Sequence, residues 1–257
     1  GEIIKSIKKY KVTHINFVPS MFASFLEQLD KEGIDRIESL KYIFLAGEAL
    51  PTEMVRKFNA LNSPIILENI YGPTEATIYS SQYSTASLTN VSVVPIGRPL
   101  VNTNLYIMSQ SGGLQPVRVP GELVIGGASV ARGYLHNEDL TSQKFGENPF
   151  IKGGRIYKTG DLARWLPDGN IEYLGRLDDQ VKIRGFRIEL GEIEYQLSTY
   201  PYIREVALLV KELDGDKFIT AYYTGEEEQP SADLREFLRK KLPEYMLPAY
   251  FVHLVEL

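Results

Sequence analysis

Over the first ninety or so residues the spacing of apolar side chains switches repeatedly between a helical and a strand period. Ile3, Ile4 and Ile7 share a helical face, and Thr13-His14-Ile15-Asn16-Phe17-Val18 reads as a strand. Pro19 suits the first position of a helix in which Met21, Phe22, Phe25, Leu26 and Leu29 recur at helical spacing. A second strand, Tyr42-Ile43-Phe44-Leu45-Ala46, is followed by a helix opened at Pro51-Thr52-Glu53. A third, Ile65-Ile66-Leu67-Glu68-Asn69-Ile70, runs into Tyr71-Gly72-Pro73. Short apolar strands alternating with helices restrict this stretch, residues 1–94, to an α/β layer on a parallel sheet buried on both faces.

From about Val94 the pattern changes to short β-runs broken by glycine and proline. Asn104-Leu105-Tyr106-Ile107-Met108, Gly121-Glu122-Leu123-Val124-Ile125 and Arg155-Ile156-Tyr157 read as strands. Ala163-Arg164-Trp165-Leu166 faces Ile171-Glu172-Tyr173-Leu174 across Pro167-Asp168-Gly169-Asn170. Residues 95–177 are therefore expected to form an antiparallel, barrel-like β layer. A smaller α+β unit follows, 178–257, with Ile188, Leu190, Ile193 and Leu197 on a helix face. In it Glu205 to Val210 pairs with Phe218 to Tyr223 across Asp214-Gly215-Asp216, and Ser231 caps a helix carrying Leu234, Phe237, Leu238 and Leu242.

At 257 residues, 44% hydrophobic and 24% charged, the chain has the makeup of a folded protein rather than a disordered one. Its net charge of -5, with mixed signs, provides no basic field for phosphate neutralisation, so no nucleic-acid partner is expected. The absence of cysteine excludes disulfides, thiolate metal sites and a Cys nucleophile. Apolar runs are only a few residues long, so no membrane partner is expected and the cytoplasm is the default location. Gly1-Glu2-Ile3-Ile4 falls within a helical pattern and lacks a Met, so the chain is expected to be a piece of a longer one.

Five segments stand out together. They are Asn69-Ile70-Tyr71-Gly72-Pro73-Thr74-Glu75; Gly121 to Leu135 with its Ala131-Arg132-Gly133-Tyr134-Leu135 end; Tyr157-Lys158-Thr159-Gly160-Asp161-Leu162; Gly175-Arg176-Leu177-Asp178 continuing through Lys182-Ile183-Arg184-Gly185-Phe186-Arg187-Ile188-Glu189 to Glu194; and Leu242-Pro243-Glu244-Tyr245-Met246-Leu247-Pro248. In this order and spacing they resemble the adenylation domains of nonribosomal peptide synthetases, in the superfamily that also holds acyl-CoA ligases and luciferases. The resemblance covers essentially the whole chain, as the later part of the large core subdomain (1–177) and most of the small C-terminal one.

The resemblance implies an ATP- and magnesium-dependent ligase of antibiotic and other secondary metabolism. Such an enzyme converts an amino acid to an aminoacyl-adenylate and passes it to the phosphopantetheine thiol of a peptidyl carrier protein, beside condensation domains and other modules. It implies that Tyr71 stacks on adenine beside Gly72, Asn69 reads the adenine amino group, Thr74 contacts the α-phosphate and Glu75 holds magnesium. A carboxylate beside a hydroxyl suits a hard cation bridged to phosphate oxygens. By the same resemblance Asp161 accepts hydrogen bonds from the ribose diol, Arg176 reaches ribose and phosphate, and Tyr173 lies near the nucleotide. Asp178 is the implied hinge, and Lys182, Arg184 and Gly185 belong to a loop lining the pantetheine tunnel. Gly121 to Leu135 is assigned no chemistry.

Carried over by offsets from Ala46-Gly47 and Tyr71-Gly72-Pro73, the acyl pocket comprises Phe17, Phe44, Ala46, Gly47, Ile70, Ile78 and Tyr79. Its bulk and lack of charge imply a small or medium apolar acid. The family's phosphate loop and amino-group ligand are expected upstream of Gly1, and its adenylation lysine downstream of Leu257, so this stretch alone is expected to be inactive. Two alternatives stay open: an acyl- or aryl-CoA or D-alanine–carrier ligase, and a non-catalytic platform for docking domains.

Overall fold

The computed structural model describes residues 1–29, 34–87, 93–178, 180–213 and 216–257, and the chain divides into two compact units, Gly1–Leu177 and Asp178–Leu257.

The first unit begins with α1 (Glu2–Tyr10), whose acidic first turn and lysine-bearing last turn complement the helix dipole. β1 (His14–Phe17), α2 (Pro19–Leu26), β2 (Tyr42–Leu45), α3 (Thr52–Asn59) and β3 (Ile66–Tyr71) follow, with Pro19 at the start of α2. β1, β2 and β3 are parallel; β4 (Ser81–Ser84) and β5 (Arg98–Pro99) then add antiparallel, completing the order β1-β2-β3-β4-β5. The parallel sheet expected from the alternation is thus mixed, because the chain turns back at Tyr71 instead of crossing over through a helix.

Register fixes which side chains share a face. Phe17 pairs with Leu45, and Ile43 with Leu67; these four join Phe22, Phe25, Val55 and Phe58 in the apolar core. On the opposite face His14, Tyr42 and Phe44 stack in a row, with centroids 5.1 and 5.8 Å apart. His14 and Asn16 are exposed there, so β1 is not buried on both faces as expected. Two helical expectations shift as well. Ile4 and Ile7 are buried while Ile3, one residue off that spacing, is 40% exposed, and Met21 points outward on α2.

The second sheet holds β6 (Thr103–Met108), β7 (Gly121–Gly127), β8 (Phe145–Glu147), β9 (Arg155–Trp165) and β10 (Ile171–Arg176), all paired antiparallel. It remains open, running β10-β9-β7-β6 with β8 also on β9. α4 (Glu138–Lys144) enters it, capped by Asn137 Oδ1 accepting from the Leu140 amide at 3.0 Å.

The second unit contains the hairpin β11 (Val181–Ile183) and β12 (Phe186–Ile188), then α5 (Leu190–Ser198). β13 (Glu205–Leu213) pairs antiparallel with β14 (Asp216–Thr224), α6 (Ser231–Arg239) follows, and β15 (Tyr250–Leu254) adds parallel to β14. Its core gathers Ile188, Ile193, Leu197, Tyr223, Leu234 and Leu238. Ile188 enters that core from β12 rather than from a helix face. Ser231 makes no side-chain cap, because Pro230 occupies the N-cap position. The turn residues Asp214 and Gly215 lie outside the described residues. Among the described residues no helix is long and apolar enough to cross a membrane.

Candidate active site

β3 ends at Tyr71, and Gly72-Pro73 leads into a 3₁₀ turn, Thr74–Ala76. The turn closes so tightly that a Cβ on Gly72 would lie 2.4 Å from the Ile78 carbonyl oxygen and 2.8 Å from the Ser80 nitrogen. Thr77 and Ile78 both take left-handed backbone angles, and the Ser80 amide donates to the Tyr71 carbonyl at 2.7 Å. The effect is to leave Thr74 exposed at the rim and Glu75 buried beneath it.

Tyr71 meets the second sheet. Its ring is buried beside Tyr173, with centroids 6.5 Å apart, and its hydroxyl donates to Asp161 Oδ2. The Asp161 carboxylate, 3% exposed, takes a second bond at Oδ1 from Arg176 Nη1 at 2.9 Å. The same guanidinium nitrogen donates to the Thr159 carbonyl at 2.8 Å. β10 brings Arg176 directly opposite Asp161 on β9, which makes this ion pair a product of strand register. Burial, then the Asp161 charge and hydrogen bond, hold the Tyr71 phenol well above its ordinary range, so it remains a neutral donor.

Glu75 is held from a direction not foreseen in the sequence. Tyr134 donates its hydroxyl to Glu75 Oε1 at 2.7 Å, and the Tyr157 hydroxyl lies 3.5 Å from the Tyr134 oxygen. The Ala131 amide donates to the Glu75 carbonyl at 2.8 Å, and Thr77 Oγ1 to the Ser129 carbonyl at 2.8 Å. The segment assigned no chemistry is therefore strapped along the Thr74–Ala76 turn. Burial raises the Tyr134 phenol first, with contributions from Tyr157 and Glu75, so it too stays a donor. The Ala-Arg-Gly-Tyr run that carries Tyr134 gives no periodic hint of this contact.

Asn69 lies within the sheet, its Nδ2 donating to the Pro95 carbonyl at 2.7 Å. Of the expected acyl-pocket residues, Phe44 and Ile70 lie on the sheet face opposite the helices, by alternation along β2 and β3. Ala46 and Gly47 follow β2, Gly47 with φ 94°. Phe17 does not belong with them: it faces the helices, with its ring 5.0 Å from Phe25, and the residue that shares the Phe44 face is Asn16. Asn16 Nδ2 donates to the Tyr79 hydroxyl, which places Tyr79 over that face. Ile78 is 59% exposed. Glu68, paired with Phe44 and on the same face, has a buried Oε2 without a hydrogen-bond partner among the described residues. Its carboxyl is pushed up by burial, against a lowering bond to Ser84.

In the second unit Asp178 Oδ1 accepts from the Gln180 amide at 3.3 Å. Lys182 sits on β11, and Arg184 and Gly185 form the hairpin turn.

Among the described residues no cluster of three or more metal-binding side chains occurs, and a single carboxylate beside a hydroxyl suits magnesium held mainly by phosphate and water. The AMP-binding enzyme family matches residues 1–135. The chain belongs to this family. It is 50% identical over 256 residues to polyketide synthase PksN of Bacillus subtilis, covering 98% of this chain and 5% of that protein. A linear gramicidin synthase of Brevibacillus parabrevis is 48% identical over 257 residues, covering 100% of this chain and 5% of that protein. Among solved structures, an artificially fused adenylation–PCP di-domain synthetase from Klebsiella oxytoca, NpsA-ThdA, matches with a TM-score of 0.79 at 28% identity, covering 97% of this chain and 49% of that one. The chain thus spans about 5% of these curated relatives and about half of that solved chain. The matched stretch, residues 1–135, includes β3 and the Thr74–Ala76 turn.

Proposed function

We propose that the chain supplies the nucleotide side of an adenylation reaction in nonribosomal peptide assembly, activating a small or medium apolar amino, keto or hydroxy acid. The observation that carries this reading is the buried Tyr71–Asp161–Arg176 cluster beside the Glu75 turn. A carboxylate with an arginine behind it is suited to a diol, and here the ribose hydroxyls would take the place of the Tyr71 phenol at Asp161. Thr74 would donate to the α-phosphate from the rim, Asn69 would face the adenine amino group, and Tyr173 would flank the nucleotide.

In the first step a carboxylate oxygen of the acid forms a bond to the α-phosphorus, and the bond to pyrophosphate breaks. Bound magnesium would supply charge neutralisation at the phosphates, and Glu75 is the residue that would hold it. Arg176, bonded to Asp161 Oδ1 at 2.9 Å, holds that carboxylate aimed. In the second step the sulfur of a carrier's phosphopantetheine thiol bonds to the acyl carbon, the bond to AMP breaks, and the thiol proton passes to solvent. Lys182, Arg184 and Gly185 would meet the pantetheine arm, with Asp178 as the hinge. The kinship with a gramicidin synthase and an adenylation–PCP di-domain supports a carrier protein as acceptor and condensation or other modules as neighbours. Phe44 and Ile70 would limit the acyl cavity, with Asn16 and Tyr79 as its polar edge.

The test is acyl loading in the full-length protein. A holo-carrier or free coenzyme A is incubated with ATP, magnesium and a panel of acids, and products are weighed by mass spectrometry. Acylation of the carrier by a small apolar acid is expected. Acyl-CoA formation without carrier loading, or no product from any acid, would overturn the assignment.

A further inference from the structure

The hairpin that opens the second unit is too small to keep its own shape. Its strands have three residues each, and such an isolated pair is marginal in water. The two-residue turn puts both Arg184 (φ 51°) and Gly185 (φ 79°) in the left-handed region, which suits hairpin twist but strains the arginine. Something outside the hairpin has to hold the tip.

Register shows what does. Val181 pairs with Ile188 and Ile183 with Phe186, so these four side chains share one face. Ile183 and Ile188 are in the core of the unit and Val181 packs against it. Phe186, next to the turn, extends past that core and is 48% exposed. Its ring lies on Tyr245, with centroids 4.2 Å apart and planes 7° from parallel. Tyr245 itself is anchored on both sides. Met246 is buried in the same core, and Glu244 accepts two bonds, each 2.9 Å, from Arg239 of α6. A continuous support therefore runs from α6 through the Glu244–Met246 turn and the two rings to the tip at Arg184-Gly185.

We propose that Tyr245 is a positioning residue for thiol transfer, which by stacking on Phe186 fixes the Arg184-Gly185 tip in the shape that receives the pantetheine arm. The stack leaves both rings half in solvent, where a stability role alone would favour burying them. Tyr245 touches neither acyl group nor thiol in this scheme; it acts through Phe186 on the backbone of the tip. The inference rests on the transfer reaction proposed above.

The experiment uses the full-length protein with Tyr245→Ala and Tyr245→Phe, comparing ATP–pyrophosphate exchange with single-turnover acylation of a holo-carrier. Tyr245→Ala is expected to keep exchange within about twofold while slowing acylation about ten- to a hundredfold, the scale of a small misplacement. Tyr245→Phe keeps the ring and should restore acylation. Exchange in the same sample reports that the variant is folded. Equal slowing of both half-reactions, an unchanged acylation rate, or failure of Tyr245→Phe to rescue would overturn the brace. A wild-type protein that exchanges pyrophosphate but acylates no carrier would instead overturn the transfer reading beneath it.

Discussion

Asn16 and Phe17 are adjacent in sequence and opposite in the sheet, and substitution should separate their roles. Phe17 is 6% exposed and packs its ring on Phe25 and Phe22 at 5.0 and 5.9 Å. Truncating such a core ring costs about 3–5 kcal/mol. In a unit of this size each kcal/mol lowers the melting temperature by about 2–4 °C, so Phe17→Ala should cost roughly 6–20 °C. Asn16 is exposed, and Asn16→Ala should leave the melting temperature almost unchanged. It removes the hydrogen bond to Tyr79 on the Phe44 face. At about 0.5–1.5 kcal/mol for one such bond, relative exchange rates among competing acids should shift by about two- to tenfold. Calorimetry on the full-length protein and an exchange panel read the two effects separately. A change of acid preference in Phe17→Ala without a loss of stability, or melting of the unit by Asn16→Ala, would refute the face assignment.

Three further outcomes follow from the site. Gly72→Ala forces a Cβ to within 2.4 Å of the Ile78 carbonyl oxygen, so it should destabilise the turn by about 1–3 kcal/mol, visible as a lower urea midpoint. Tyr134→Phe removes the hydroxyl that orients Glu75, and should raise the magnesium concentration for half-maximal nucleotide binding about 10- to 100-fold, read by magnesium titration with a fluorescent ATP analogue. The folded-state pKa of Tyr71 lies above its unfolded value, so its contribution is intact below about pH 10 and is lost as the unfolded phenol ionises above it. Tyr71→Phe should therefore flatten the alkaline decline in stability, measured by denaturant midpoints from pH 9 upward.

Much of the architecture is legible in the sequence because local periodicity and punctuation carry it. Pro19 marks the start of α2, and the apolar runs at 42–46 and 65–70 coincide with β2 and β3. What escapes depends on pairing between distant segments. Offsets from landmarks put Phe17 in the acyl pocket, whereas strand parity, set by the Phe17–Leu45 register, turns it to the helices. The contact of Tyr134 with Glu75 spans 59 residues and arises where a β-layer loop crosses the end of β3. Ser231 has the look of a cap because a serine precedes an amphipathic run, but Pro230 already supplies the extended N-cap conformation. Ile188 fits a helical spacing with Leu190 and Ile193, yet a three-residue strand claims it first.

Substrate-dependent ATP–pyrophosphate exchange by the full-length protein, with and without Asp161→Ala, tests the central claim most directly. Asp161 is where the phenol of Tyr71 and the guanidinium of Arg176 converge, so its loss dismantles the cluster proposed to receive the ribose. The account predicts exchange with a small apolar acid that falls by at least about a hundredfold in the variant while the fold persists, the scale of losing charge-assisted contacts to the nucleotide. Wild-type exchange that survives Asp161→Ala unchanged would contradict it.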